Sequence, residues 1–86
     1  MDLKSYMNDK QNLEKNLKEV LFTKDVNFLE ELAKTIVRSW RTLDYLEEYS
    51  YRIAKNKNCP KRIIEILYTC RDKNAESYAI QGLEDR

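Results

Sequence analysis

Apolar residues recur along this chain at the spacing of a helical face, and polar residues gather at a few short joints between them. Leu13, Leu17, Val20 and Leu21 fall at i, i+4, i+7 and i+8, one side of a helix over residues 9–22. Asn8 and Gln11 resemble a capping box at its start. Leu3, Tyr6 and Met7 either extend this stripe by two turns or pack loosely, and Thr23, Lys24 and Asp25 break it. A second helix over 26–38 carries the stripe Val26, Leu29, Ala33, Ile36, Val37 and Trp40, widened by Phe28 and Leu32. Asp25 is its expected N-cap, and Glu30 and Glu31 favour its first turns through the helix dipole.

A third helix is expected over 43–55, with Thr42 as N-cap, Asp44 just inside, and Leu43, Leu46, Tyr49 or Ser50, Ile53 and Ala54 facing inward. Tyr45, Tyr49 and Tyr51 spread around the cylinder, so at least one phenol should reach solvent or an interface. Lys55, Asn56, Lys57 and Asn58 cannot continue an apolar stripe. Asn58 tolerates the left-handed conformation of helix exits, and Pro60 suits the first position of a fourth helix over 60–71. That helix is apolar on more than one side, through Ile63, Ile64, Ile66, Leu67, Tyr68 and Cys70. Such a helix is sandwiched between neighbours or lends a face to a partner. Its β-branched residues would also suit a strand, against which Pro60 and the helical spacing argue. Asp72, Lys73 and Asn74 form a turn. Asn74 is the expected cap of a last helix over 75–83, with Tyr78, Ala79 and Leu83 inward and Gly82 at its end.

These elements predict one all-α domain over residues 1–86, of four or five short helices in a small bundle or a two-layer helical stack. A single glycine and a single proline are too few for the turns of an all-β protein. Eighty-six residues, 42% of them apolar and 36% charged, suffice for one modest core and place the chain outside the disordered class. No apolar run approaches the roughly 20 residues that span a bilayer. The opening Met1, Asp2, Leu3, Lys4 lacks the apolar core of a signal peptide. The expected location is cytoplasmic.

Little catalytic chemistry is written here. The chain has no histidine, which removes the commonest general base and the Ser-His and Cys-His nucleophile pairs. One glycine cannot make a glycine-rich phosphate loop. Cys59 and Cys70 cannot supply the four ligands of a zinc site, and read as two reduced structural thiols or a lone disulfide. Cys59 beside Pro60 at a helix start also allows a thiol of lowered pKa. Glu30 with Glu31, and Glu47 with Glu48, are neighbours that diverge by about 100° on a helix, and read as surface charge. No enzyme activity, metal or cofactor is expected.

The formal charge of +1 conceals an asymmetry. Residues 38–73 hold nine Lys and Arg against five acids, and Tyr49 to Ile64 contains five cations and no acid. That window is the one candidate basic patch.

Two segments echo each other 35 residues apart. Phe28, Leu29, Glu30 and Leu32 share the pattern apolar-apolar-Glu-x-Leu with Ile63, Ile64, Glu65 and Leu67, a period compatible with stacked helical units. Ala54, Asn56, Asn58, Cys59, Pro60, Ile63, Ile64 and Leu67 resemble the variant leucine-rich repeat and, more loosely, HEAT-type helical repeats, over roughly residues 50–82. The pattern departs after Gly82, where no second Asn-rich turn and proline follow, and no clear copy precedes Thr42. The resemblance implies a right-angled helical stack serving as an interaction scaffold.

The expected function is a non-enzymatic protein–protein interaction module that binds a partner protein or itself. The Lys/Asn/Tyr-rich composition and small size resemble accessory proteins of phages or mobile elements, including inhibitors of host defence. The candidate interaction surface is Tyr51, Arg52, Lys55, Lys57, Lys61, Arg62, Ile66 and Tyr68, with Trp40 as core or hot spot. The alternative is a small nucleic-acid-binding regulator whose basic joint contacts phosphates while Tyr49 or Tyr51 stacks on a base.

Circular dichroism is expected to show a predominantly helical chain. Leu29→Ala or Ile36→Ala should each lower stability by roughly 2–5 kcal/mol in denaturant melts. Silence at both positions would mean that the second helix does not face the core.

Overall fold

Aspartates open three of the helices. Asp2, Asp25 and Asp72 stand in extended conformation and accept the backbone N–H of Lys4, Phe28 and Asn74, pairing donors that a helix start leaves free. The computed structural model describes residues 2–86. Its elements are α1 (Leu3–Asn8), α2 (Leu13–Phe22), α3 (Val26–Ser39), a 3-10 turn (Trp40–Thr42), α4 (Leu46–Lys55), α5 (Lys61–Tyr68) and α6 (Lys73–Glu84), with no strand among the described residues.

Six helices replace the expected four or five, and the differences are local. The region before Leu13 forms its own helix, α1, because Asp9 turns extended and its carboxylate binds the Asn12 backbone N–H at 3.2 Å and the Asn12 side chain at 2.8 Å. Asn8 makes no capping box. Its carboxamide crosses to the α3–α4 connection, donating to the Thr42 carbonyl and accepting from the Asp44 N–H, both at 2.8 Å. Thr42 ends the 3-10 turn with its hydroxyl on the Ser39 carbonyl, so α4 starts later, after Tyr45. Asp72 takes the capping role expected of Asn74. Asn58 is not left-handed, since no described residue has positive φ. Pro60 stands at the N-cap of α5, one position earlier than expected, its carbonyl accepting from Ile63 and Ile64.

The helices lie in two rows. In one, α1 packs on α3 and α3 on α5; in the other, α2 packs on α4 and α4 on α6, the most extensive contact of all. The rows join within each consecutive pair: α1 with α2, α3 with α4, α5 with α6. The core between them is built from Met7, Val20, Leu29, Leu32, Ile36, Tyr49, Ile53, Ile63, Ile64 and Leu67. The Tyr6 ring meets Phe28 edge-on at 5.6 Å and lies 6.3 Å from Tyr49, while its hydroxyl donates to the Glu19 carboxylate. Trp40 is half-buried against the core with Arg41 above its ring. The fourth predicted helix, expected to have apolar surface to spare, is largely covered: Ile63, Ile64, Leu67 and Cys70 are buried, and Ile66 and Tyr68 half-buried.

Two devices hold the second row. Asn56, 1% exposed, donates from its side chain to the Val20 and Thr23 carbonyls at 2.8 and 2.9 Å and accepts the Asn58 N–H at 2.8 Å. This ties the end of α4 to the end of α2. On the other flank, small residues let α4 and α6 approach closely. Ser50 and Ala54 lie one turn apart on α4, and Ala75, Ala79 and Gly82 are buried on α6. Gly82 lies within α6 and does not end it. A Cβ there would collide with the Tyr51 carbonyl oxygen and stand 3.1 Å from the Ala54 Cβ and the Lys55 nitrogen.

Glycine to alanine at an open helix position gains up to about 1 kcal/mol. Gly82→Ala is expected to do the reverse, lowering stability by ~1–3 kcal/mol through overpacking against backbone that has no rotamer to yield. Urea melts measure it. A gain in stability would mean that α6 is not seated on α4 at this point.

Candidate functional site

The ends of α2, α4 and α6 come together at one corner of the molecule. Asn56 joins the first two, and Arg86 joins the third. The Arg86 guanidinium donates to the Ala54 carbonyl from Nε and to the Cys59 carbonyl from Nη2, both at 2.8 Å. The Tyr51 hydroxyl adds a 2.6 Å bond to the Asp85 carboxylate. Between these ends lies a cleft of about 490 Å3 lined by Leu21, Phe22, Lys55, Asn56, Lys57, Asn58, Asp85 and Arg86. Phe22 forms part of its wall and is 65% exposed, more than Ile80 at 42% or Tyr78 at 37%, the other large apolar side chains left in solvent among the described residues.

Two shallow grooves flank α4, and the first of them shares Leu21 with the cleft. One runs between α2 and α4, over Glu14, Leu17, Lys18, Leu21 and Arg52. The other runs between α4 and α6, over Glu48, Tyr51, Arg52, Tyr78 and Gln81. Arg52 borders both. Its guanidinium carbon lies 5.2 Å from the centre of the Tyr51 ring, and Lys55 Nζ lies 5.5 Å from it, within cation–π range. Acidic and basic side chains alternate across this surface, with Glu14, Glu48 and Asp85 set among Lys18, Arg52, Lys55 and Lys57.

The basic window is therefore less basic than its composition. A helix C-terminus carries about half a negative charge, and three of them meet at the cleft together with the Asp85 carboxylate. Lys55, Lys57 and Arg86 offset that negative charge to within about one unit. Arg62, at the start of α5, is held at 3.1 Å by Glu30 of α3, which Lys34 also reaches at 3.3 Å. The hydrogen bonds from Arg62 and then Lys34 keep the Glu30 carboxyl below the usual range. Among the described residues, neither Lys55, Lys57 nor Lys61 forms an ion pair.

Of the residues singled out from the sequence, Tyr51, Arg52, Lys55 and Lys57 share this surface. Lys61 is exposed at the first position of α5, Arg62 is turned to α3, and Ile66 and Tyr68 are half-buried against the core. Phe22, Asp85 and Arg86 belong to the surface and were not foreseen, and Tyr78, expected to face inward, is exposed on it. Phe22 had a signal: an aromatic residue on the last turn of a helix, one position off the stripe formed by Leu17, Val20 and Leu21. Asp85 and Arg86 looked like a fraying end and gave none.

The thiols are structural. Cys59 and Cys70 are free and buried. Cys59 is 2% exposed, its Sγ 3.7 Å from the Pro60 carbonyl oxygen. Burial pushes its thiol up to about 11, against a smaller pull downward from Arg86 and Arg62. The lowered pKa that its place beside a helix start allowed is absent, because desolvation of the thiolate outweighs the helix end.

Among the described residues no helix is long and apolar enough to cross a membrane. Compared with known proteins, the chain matches no family model, no curated protein and no solved structure. The helical-repeat resemblance thus rests on the residues between Arg52 and Gly82 themselves.

At mildly alkaline pH an aromatic disulfide reagent is expected to react with Cys59 at the rate of unfolding, and in denaturant with both cysteines at once. Fast reaction of the native protein at Cys59 would contradict its burial.

Proposed function

We propose that the protein is a non-enzymatic interaction module that binds a protein surface through the α2–α4–α6 row. The observation that carries this reading is Phe22, a solvent-exposed aromatic ring beside an electrostatically balanced cleft, with two grooves of mixed charge flanking α4 on the same row. Isolated exposed apolar residues are common on protein surfaces. An aromatic residue at the edge of a concave, mixed-charge face is the arrangement from which interface anchors are drawn. The contact order of the helices adds support. Consecutive helix pairs stack side by side, each pair meeting the next through α1–α3, α3–α5, α2–α4 and α4–α6, which is the plan of helical-repeat scaffolds, in which one row lines the binding surface. An accessory or inhibitory role, of the kind the composition resembles, is compatible with such a module.

The nucleic-acid alternative draws on the unpaired Lys55, Lys57 and Lys61. It is weakened by the acids interleaved with them and by the three helix ends that share their charge, because a phosphate backbone rewards uncompensated cations.

A photoreactive side chain introduced at Tyr78 or Lys57 is expected to yield protein adducts in cells of the source organism, and one at Arg38, on the α1–α3–α5 row, is not. Adducts from all three positions alike, or to nucleic acid alone, would overturn this assignment. The same protein should show no binding to single- or double-stranded DNA at physiological salt. A submicromolar dissociation constant abolished by Lys57→Glu, Lys61→Glu and Arg62→Glu together would establish the alternative.

A further inference from the structure

We infer that the occupant of the cleft is a second copy of this chain, seated by reciprocal insertion of Phe22. This rests on the α2–α4–α6 row being a protein-binding face, and names its partner.

The knob and the hole belong to the same patch. Phe22 is 65% exposed on the last turn of α2, and it walls a cleft of about 490 Å3 that its own ring does not fill. That volume lies within the range of small-molecule pockets and is ample for one aromatic side chain. The cleft's charge selects an uncharged guest. Lys55, Lys57 and Arg86 face Asp85 and three helix C-termini, so neither an acidic nor a basic side chain gains much by entering. A phenyl ring gains the apolar wall and the approach of Lys55 or Lys57 to its face. With a net charge of +1, two copies meet without the repulsion that keeps highly charged proteins apart. Glu14 and Glu48 lie among Lys18 and Arg52 on the grooves flanking α4, a pattern that can pair with itself.

Because knob and hole sit side by side, one two-fold axis satisfies both, and the contact closes at a dimer. A molecule measuring 28 × 26 × 20 Å offers a face of the small interface class, so the dissociation constant is expected in the micromolar range.

Sedimentation equilibrium of the full chain, from low micromolar to near-millimolar concentration, tests this. The wild type should follow a monomer–dimer equilibrium. Phe22→Ser removes both knobs and one wall of each hole, and should weaken it about a hundredfold or more, with an unchanged thermal melt below the dissociation constant because the ring is already largely in solvent. Asn58→Trp fills the hole and leaves the knob, and should weaken it comparably, while the Asn58 backbone N–H keeps its bond to Asn56. Mixing the two variants recreates one knob and one hole, so the mixture should associate more tightly than either alone. A wild type that stays monomeric, a dimer indifferent to Phe22→Ser, association that grows without limit, or a mixture no tighter than its components would each overturn the inference. A monomer that still forms protein adducts at Tyr78 and Lys57 would remove the second copy and leave the binding face intact. The loss of both would remove the face as well.

Discussion

The buried carboxamide of Asn56 sets where the second row of helices ends. It meets the Val20 and Thr23 carbonyls with its two N–H groups and the Asn58 N–H with its oxygen. Each of those backbone groups would cost about 1–3 kcal/mol if left buried and unpaired. An apolar side chain of similar size could fill the space, but it would accept any offset between α2 and α4. A carboxamide accepts one, because its donors and acceptor point in fixed directions. The ends of α2 and α4 are thereby held level, and Arg86 brings α6 to the same corner through the Ala54 carbonyl. The cleft, its wall at Phe22 and the meeting of three helix ends all follow from that registration.

How much of this was legible depended on whether the deciding partner was near in sequence. The second predicted helix, over 26–38, lies within one residue of α3, because its stripe and its Asp25 cap are local signals. The cap expected at Thr42 failed for the opposite reason. Asn8, remote along the chain, binds the Thr42 carbonyl and the Asp44 N–H and holds this stretch as a connection, and α4 starts after Tyr45 with no side-chain cap. Asn56 was legible only as a turn residue, and its burial depends on carbonyls of α2 that no local pattern points to. Gly82 looked like a helix stop because glycine usually is one. Its role is to admit the Tyr51 carbonyl, a contact between helices. The site divides in the same way. Tyr51, Arg52, Lys55 and Lys57 stood out as one contiguous window, whereas Phe22, Tyr78, Asp85 and Arg86 join them only through tertiary packing.

Charge counted along the sequence also differs from charge felt at the surface. Five cations without an acid between Tyr49 and Ile64 read as a basic patch. In the fold, Arg62 belongs to Glu30, Arg52 lies over Tyr51 and borders two grooves that hold Glu14 and Glu48, and Lys55 and Lys57 face helix C-termini. Exposed cations of this kind act mainly through long-range steering and selectivity, which suits a surface whose specificity comes from shape and one aromatic ring.

The close seat of α6 at Gly82 also bears on how the molecule is made. Residues emerge from the ribosome in order, at about 5–20 per second, and Gly82 of α6 follows Tyr51 of α4 with the whole of α5 between them. Until it emerges, the flank of α4 formed by Ser50, Ala54 and the Tyr51 carbonyl has no cover, although α1 to α5 can already collapse around the core. The most extensive helix contact among the described residues thus becomes available only after α1 to α5 have emerged. It joins segments well separated along the chain, the kind of contact that slows folding. The nascent chain passes through a stage in which α6 must find a slot cut for a residue without a side chain.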